Sequence, residues 1–201
     1  NLLLKYITFN YRDMNRKHNT SRLDKNNMPR SIWRDNNQIF HAADKIVSFN
    51  KEVVGFLKGQ AIKNIKGRSR VCMHNKPEDI LHEMIIAITS DSYIRPHRHI
   101  NKIESFHLIE GEADIVIFSN NGEIQEVISF GESVNFYYRL NTSKYHTLII
   151  YSPVLVIHEI TNGPFDPSVS DFAEFSPEEG SEGVGVYVDE LRARVKVKGC
   201  N

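Results

Sequence analysis

The sequence has almost no cysteine, which limits the folds that it can encode. Its two cysteines, Cys72 and Cys200, are too few and too far apart for a disulfide framework, and neither belongs to a Cys-x-x-Cys pair of the kind that holds zinc. This cysteine usage is typical of a reducing compartment. We therefore expect a cytoplasmic location.

Long apolar runs and an excess of charge of one sign are also lacking. The opening NLLLKYITF is short, contains a lysine and lacks the small-residue cleavage site of a signal peptide. No run approaches the roughly 20 apolar residues of a membrane helix. Lysine plus arginine equals aspartate plus glutamate, at 25 each, so no overall field favours nucleic acid or an anionic membrane. We predict neither as a partner.

The length and apolar content suit one domain with a segment at each end. The chain has 201 residues, of which 40% are hydrophobic, enough for one ordinary core. We place the domain at residues 45–180, a loosely ordered arm at residues 1–44 and a tail at residues 181–201. The arm is rich in asparagine, arginine and lysine without a sustained period. A solvated linker is favoured there over a stretch that grips phosphate, because the arm also carries aspartates.

The tail leaves three alternatives open. Its sequence, VGVYVDELRARVKVKG, alternates between polar and apolar residues. This pattern fits an edge strand, a strand that contacts a dimer partner, or a helix over the last part of the tail.

One amphipathic helix is predicted to begin after Asn50 and to end near Gly67. Apolar residues recur at three- and four-residue spacing at Val54, Leu57, Ala61 and Ile65. Asn50 can cap the first turn. Two internal glycines each cost about 1 kcal/mol relative to alanine, so the helix must depend on packing.

After the helix the apolar period becomes two. Short segments rich in valine, isoleucine, phenylalanine and tyrosine lie near 69–74, 83–90, 103–109, 112–118, 124–130, 133–138, 146–151 and 154–160. Turn signals separate them, among them the Asn-Gly pair of SNNGE, which favours a tight hairpin. These segments predict an all-β sandwich or barrel.

Three potential metal ligands stand close together in YIRPHRHINKIESFHLIEG. Residues two apart on a strand face the same side, so His97 and His99 can point at one spot while Arg98 faces away. A bend after them would let Glu104 begin the next strand on the same face, and His146 opens a later strand. Three imidazoles and one carboxylate suit divalent Fe, Mn, Ni, Co or Zn better than Ca or Mg. We predict one such ion.

The spacing H-x-H-x4-E-x6-G, which ends at Gly111, resembles the first motif of the cupin superfamily. His146 resembles the histidine of the second cupin motif. Two departures exist, since Asp91 stands where the first motif begins with glycine and the Pro-x-Gly turn of the second motif is missing. The resemblance implies a double-stranded β-helix, or jelly-roll barrel, with the metal inside it.

A narrower resemblance covers roughly residues 46–179. RPHRH, GPFDP and the following DFAEFSPEEG together resemble the WbuC family of cupin-fold metalloproteins. Members of that family are associated with bacterial surface-polysaccharide biosynthesis, although their reaction is poorly defined. The resemblance therefore implies a fold and a metal more firmly than a substrate.

Four further residues are candidates for contact with a substrate. Arg95 shares the face of His97 and could hold a carboxylate or phosphate, or else pair with an acid such as Asp91. His74 ends a strand and could reach the barrel rim. Tyr137 could supply a phenol to the pocket, with packing as the alternative, and Glu159 could orient a metal-bound histidine.

Two classes of function compete on this sequence. The first is a metal-dependent enzyme, an isomerase, epimerase or oxygenase, acting on a small polar metabolite such as a sugar or sugar nucleotide. The second is a non-catalytic cupin that binds a ligand as a sensor, or whose metal is structural. In either case we expect a small-molecule partner and a homodimer, because sheet edges favour pairing across a two-fold axis.

Overall fold

The computed structural model describes residues 28–199 apart from 167 and 169. Residues 1–27 of the predicted arm lie outside the described residues, as does Cys200. Cys72 is buried and carries a free thiol.

The described residues form twelve strands and two long helices. In chain order they are β1 (Ile32–Arg34), β2 (Ile39–Ala42), α1 (Lys51–Lys63), β3 (Arg68–Cys72), β4 (Leu81–Thr89), β5 (His97–His99), β6 (Glu104–Glu110), β7 (Ala113–Phe118), β8 (Ile124–Phe130), β9 (Tyr137–Leu140), β10 (Tyr145–Ile150), β11 (Val154–Asn162), β12 (Ser170–Phe172) and α2 (Val184–Gly199).

The strands form a jelly roll of two sheets. One sheet has the order β1-β2-β3-β4-β11-β6-β9 and the other has the order β12-β5-β10-β7-β8. The centre of the jelly roll consists of four strands from each sheet, β4-β11-β6-β9 from the larger and β5-β10-β7-β8 from the smaller. The chain therefore crosses repeatedly between the sheets, as it does in a double-stranded β-helix. All the pairings are antiparallel except that of β2 with β3. The predicted all-β jelly roll of cupin type is confirmed.

Apolar side chains fill the space between the two sheets and also the outer face of each. Between the sheets pack Ile88, Phe106, Ile115, Phe130, Leu155 and Ile157. On the outside, Leu57 and Ala61 of α1 cover the larger sheet, while Leu191 and Val195 of α2 cover the smaller one. The domain thus has four layers, with a helix on each side of the barrel.

Helix α1 matches its predicted start but not its predicted end. The side chain of Asn50 accepts hydrogen bonds from the backbone amides of Glu52 at 3.0 Å and Val53 at 3.4 Å, as expected of a cap. The helix ends at Lys63, so Ile65 lies beyond it and is fully exposed. No helix in the described part of the chain is long and apolar enough to cross a membrane.

The structure corrects the prediction for the N-terminal end of the chain and selects one of the three alternatives for the C-terminal end. Residues 32–34 and 39–42, assigned to the irregular arm, form β1 and β2 and extend the larger sheet. The tail forms α2, which rules out the edge-strand alternative. The alternating pattern left the helix as one alternative among three, because a helix that packs on one sheet needs few apolar residues, here mainly Leu191 and Val195.

Candidate metal centre

Four side chains from the two sheets meet at one end of the barrel. His97 and His99 lie on β5, and His146 on β10 pairs directly with His97. Glu104 begins β6 in the facing sheet. One potential ligand atom from each residue lies within 4.8 Å of the other three, so the structure brings together the four residues that the sequence predicts as ligands.

The alternation of β5 explains why both of its histidines face inward. Arg98, between them, turns to the other side, where its Nε donates to Asp171 at 2.8 Å and its guanidinium lies over the Tyr145 ring at 4.5 Å. This outward ion pair holds β12 against β5. His97 and His99 are therefore directed at the cavity as the strand period predicts.

Hydrogen bonds at Nδ1 orient all three imidazoles. Nδ1 of His97 lies 2.9 Å from the carbonyl oxygen of Arg95, and Nδ1 of His146 lies 3.0 Å from that of Lys144. Because a carbonyl can only accept, these two rings carry their proton on Nδ1 and keep Nε2 as a lone-pair donor. Nδ1 of His99 lies 3.2 Å from the hydroxyl of Ser170. Such partners are what metal-bound histidines use to fix the ring.

The inward-facing histidine nitrogens and the Glu104 carboxylate oxygens are placed to bind a cation rather than to hydrogen-bond one another. Nε2 of His146 lies 3.0 Å from Oε2 of Glu104, and Nε2 of His99 lies 3.6 Å from Oε1. Yet Glu104 Oε2 and His146 Nε2 are buried and make no hydrogen bond to any described residue. Buried polar atoms without partners are costly. A shared metal ion would satisfy both, so the donor set fits such an ion.

Two residues of the centre, His97 and Glu104, already have protonation states that suit a metal, whereas His146 holds its second proton more tightly than a free imidazole and must release it when a metal binds. Burial, and then the proximity of His146, lowers the pKa of His97 to about 4, so this imidazole is neutral at pH 7. Burial opposes ionisation of Glu104, but the neighbouring His146 outweighs it and holds the carboxyl pKa below its usual range. For His146 burial lowers the pKa, and the charge of Glu104 more than offsets it, giving a net rise. Neutral imidazole and carboxylate are the forms that bind metal.

A cavity of about 500 Å³ extends from these residues between the sheets. Its apolar wall includes Ile86, Phe106, Leu148 and Ile157. Its polar wall includes His41, Arg70, His74, His82, Lys102 and Glu159. A volume of this size is typical of sites for small molecules, which occupy roughly 300–1,000 Å³.

Two of the predicted substrate contacts, Glu159 and His74, line this cavity. Burial, and then the charge of Glu104, raises the pKa of Glu159 to about 8. Its predicted role in orienting a histidine is wrong, because backbone carbonyls and Ser170 do this instead. His74 stacks on His82 with ring centroids 3.9 Å apart.

The other two predicted contacts differ in position, because Tyr137 faces away from the site whereas Arg95 lines a neighbouring cavity together with His97 and His99. Tyr137 is half exposed and pairs with His107, whose side chain lies on the side of β6 opposite Glu104. Its predicted place in the pocket is therefore wrong, and the next residue along the strand is the one that faces inward. Arg95 hydrogen-bonds the carbonyl of Ala173 at 3.3 Å and stacks on Phe172 at 5.3 Å. Its guanidinium anchors the segment around β12, and its nearest acid is Glu178 rather than Asp91.

Sequence reasoning missed three polar residues of the site. Ser170 stands on a strand of three residues, too short to show a period. His41 lies in a segment that the sequence assigned to the arm. Arg70 shares its strand face with Cys72, and the alternation of β3 was the one signal that could have found it.

Comparison with protein families gives one partial match. A model described as a domain of unknown function, DUF6016, matches residues 49–130, which include His97, His99 and Glu104 but not His146. No curated protein matches the chain.

Several solved structures are distantly similar. CapF, crystallised with the inhibitor 3-isopropenyl-tropolone, is 19% identical with a TM-score of 0.46 over 55% of this chain and 33% of its own. The capsular polysaccharide assembling protein CapF from Staphylococcus aureus is 18% identical with a TM-score of 0.45, over 55% and 31%. The DMSP lyase DddQ from Ruegeria pomeroyi is 13% identical with a TM-score of 0.43, over 55% and 54%. The chain thus spans about a third of the CapF proteins, and the fold assignment rests on strand order rather than on these likenesses.

Proposed function

We propose that the chain binds one divalent transition metal through His97, His99, Glu104 and His146, and a small polar metabolite in the adjoining cavity. The observation that carries this proposal is the meeting of four ligand atoms within 4.8 Å of one another at the wall of a cavity of about 500 Å³. The proposed ligand is a sugar or sugar nucleotide.

The donor set favours Fe, Mn, Ni, Co or Zn. Three imidazole nitrogens and one carboxylate oxygen are a mixed set, whereas calcium and magnesium prefer oxygen alone. When bound, such an ion supplies a Lewis acid that polarises a carbonyl or hydroxyl group. The chain itself orients the rings through Nδ1.

The cavity walls supply the remaining functions of the site. Phe106, Leu148 and Ile157 form an apolar surface that excludes water from the ligand. Glu159 is the carboxyl group there with a raised pKa, and it can hold a proton near neutrality. His74 offers a further polar contact. These groups support a proton transfer at a carbon beside a carbonyl, as in isomerisation or epimerisation.

Surface-polysaccharide biosynthesis is the proposed setting. It is supported by the combination of RPHRH, GPFDP and DFAEFSPEEG, which resembles the WbuC family. Sugars and sugar nucleotides are the metabolites of that setting, and they are polar enough to use a metal and a mixed cavity wall.

A non-catalytic ligand-binding protein is the second candidate. The observation in its favour is the outward position of Tyr137, because the phenol that the sequence placed in the pocket is then not available there for proton transfer. The two candidates separate when nucleotide sugars are incubated with metal-loaded protein and analysed by mass spectrometry. Product formation supports the enzyme, and binding by thermal shift without product across a broad panel supports the sensor.

The metal proposal is tested by elemental analysis of protein purified without a histidine tag. We expect about one transition metal ion per chain, lost in His97→Ala and in Glu104→Gln because each removes a ligand. His107→Ala is the matched control, since His107 lies on β6 but is exposed on the opposite side. Retention of metal by both ligand variants would remove the assignment.

A further inference from the structure

The cavity has a second polar region far from the metal ligands. His41 of β2 and Arg70 of β3 both line it. The parallel register of these strands places Ile39 beside Arg70 and His41 beside Cys72, so His41 and Arg70 lie on neighbouring strands, offset by two residues. We name His41 and Arg70 the outer pole.

Hydrogen-bonding capacity at the outer pole is unused. Nδ1 of His41 is buried and has no hydrogen-bond partner within the described residues. Arg70, by contrast, is exposed, and its guanidinium forms no ion pair or hydrogen bond within residues 28–199. The neighbouring cations differ, because Lys66 and Arg68 both pair with Glu179. Both residues line the cavity, and the free guanidinium of Arg70 is the group there that can donate to an acceptor on a ligand.

The charge around the outer pole favours an anion. Burial, and then the charge of Arg70, lowers the pKa of Arg68, which places two guanidinium groups close together. Two acids line the same cavity, Asp35 and Glu159. No ion pair joins either to Arg70 in the part of the chain that the structure describes, although the charge of Arg70 opposes the burial and the Glu104 charge that raise the pKa of Glu159 to about 8. Glu179 is already occupied by Lys66 and Arg68. A guanidinium left free in such a position binds carboxylate or phosphate, often with two hydrogen bonds.

The distance between the outer pole and the metal ligands sets the size of the ligand. Arg70 on β3 is separated from Glu104 on β6 by β4 and β11. Neighbouring strands lie about 4.8 Å apart, so the two backbones are about 14 Å apart across the sheet. The side chains shorten this gap, but a single small ion cannot touch both ends. The ligand must be extended.

We propose that the cavity takes an extended small molecule whose anionic group, a phosphate or a carboxylate, binds Arg70 and His41 while its other end faces the metal ligands. This inference rests on the proposed function and adds the charge and the orientation of the metabolite. The anion-binding role that the sequence suggested for Arg95 is separate, because Arg95 lines a different cavity and donates to Ala173 and Ser176.

The protein contains its own reporter for the outer pole. Trp33 is the one tryptophan of the chain, and its ring stacks on that of His41 with centroids 4.6 Å apart. Tryptophan fluorescence of the metal-loaded protein is titrated with glucose 1-phosphate, glucuronate and glucose, which share a sugar scaffold and differ in the anionic group. We expect at least one anionic sugar to bind about tenfold or more tightly than glucose, the effect of one charge-assisted contact. The relative affinities of glucose 1-phosphate and glucuronate show whether the anionic group of the ligand is a phosphate or a carboxylate.

Variants of Arg70 isolate the contact. Arg70→Gln should weaken binding of the preferred anionic sugar about tenfold and leave glucose affinity and metal content unchanged. Arg70→Lys keeps the charge without the planar fork and should recover part of the loss. Arg139→Gln is the matched control, because Arg139 lies on β9 opposite Ser105, on the outer side of the sheet. It should bind as the unaltered protein does.

Failure of this inference differs from failure of the metal proposal. If the anionic sugars bind no more tightly than glucose at millimolar concentration, or if Arg70→Gln binds them as the unaltered protein does, the inference is wrong. If the protein holds no metal yet still prefers the anionic sugars through Arg70, the outer pole stands and the metal proposal falls.

Discussion

Two of the three inward-facing histidines are oriented by the backbone two residues before them. Nδ1 of His97 meets the carbonyl of Arg95, and Nδ1 of His146 meets that of Lys144. No side-chain substitution removes these acceptors. His99 differs, because its Nδ1 depends on the hydroxyl of Ser170 on another strand. A substitution at Ser170 can therefore change the orientation of the His99 ring without removing the imidazole that would bind the metal.

Ser170→Ala should weaken metal binding without unfolding the chain. Loss of an orienting partner typically costs about 10–100-fold in metal affinity, and here we expect the lower end because one of three rings is affected. Competition with a chelator measures the change. Ser168→Ala is the control, since its hydroxyl bonds Asp166 rather than a histidine. Equal affinities for both variants would show that Ser170 does not orient His99.

His74 should make the fold less stable in mild acid. Burial, and then the neighbouring His82, lowers the pKa of His74 below 6.5, with a smaller effect from His41 opposed by Glu83 and Asp79. The unfolded chain therefore binds this proton at a higher pH than the folded chain does. Stability then falls as the pH drops below about 6.5 and continues to fall until the folded pKa is reached.

The measurement is the free energy of unfolding of metal-free protein between about pH 7 and pH 5. His74→Gln should lose less stability over this range than the unaltered chain. The low pKa of His97 contributes equally in both proteins and cancels in the difference. Identical pH dependence in the two would rule out a lowered pKa at His74.

At the scale of single elements, the motif glycine closes the turn between β6 and β7. Gly111 has a φ of +102°, a region that other residues rarely adopt. A Cβ at this position would lie 2.9 Å from the carbonyl oxygen of Val154 and 3.1 Å from Cα of Leu155. The glycine at the end of the cupin spacing is thus required by backbone conformation and by close approach of β11.

Two glycine substitutions should change stability in opposite directions. Gly111→Ala should destabilise the fold by about 1–3 kcal/mol, because the strained φ and the contact with β11 both penalise a Cβ. Gly55→Ala in α1 should stabilise it by about 0.5–1 kcal/mol, since helix propensity improves and nothing lies within 4 Å of the new Cβ. Denaturant unfolding measures both. A neutral Gly111→Ala would contradict the strained turn.

Elements of three or four residues explain the errors in the strand prediction. β5 and β12 each contain three residues, fewer than two full repeats of a period of two. β9 begins at Tyr137 rather than near residue 133 and contains four residues, too few for a period of two to show which tyrosine faces inward. Tyr138 is buried against Phe106, whereas Tyr137 faces out. The longer strands, such as β4 and β11, were predictable because their repeats are many.

At the scale of the whole molecule, the larger sheet ends in a strand that no other described strand covers. Among the described strands β9 forms this edge, and β1 forms the opposite edge of the sheet. Just before it, Val134 and Phe136 are exposed at 55% and 59%. Unpaired sheet edges with apolar neighbours favour pairing between chains.

We expect a homodimer that pairs through this edge. Light scattering at micromolar concentration should give twice the chain mass of 23.2 kDa. Phe136→Asp should shift the mass to that of a monomer, because it places a charge in the interface. Val186→Asp, at an exposed position of α2, is the control and should leave the dimer intact. A monomeric unaltered chain would refute the dimer, and a monomer from Val186→Asp alone would move the interface to the tail.

The sequence by itself determined the barrel, helix α1 and the four inward-facing residues of the candidate metal centre. These follow from local rules: strand period, an Asn cap, and the spacing of His97, His99 and Glu104. Only the tertiary structure decided the second end of the cavity, the orienting role of Ser170 and the place of α2. His41, Arg70 and Ser170 lie on strands whose positions depend on pairing with distant segments. The alternation of β3 indicates which face Arg70 takes, but the period of one strand does not show which distant strand lies beside it.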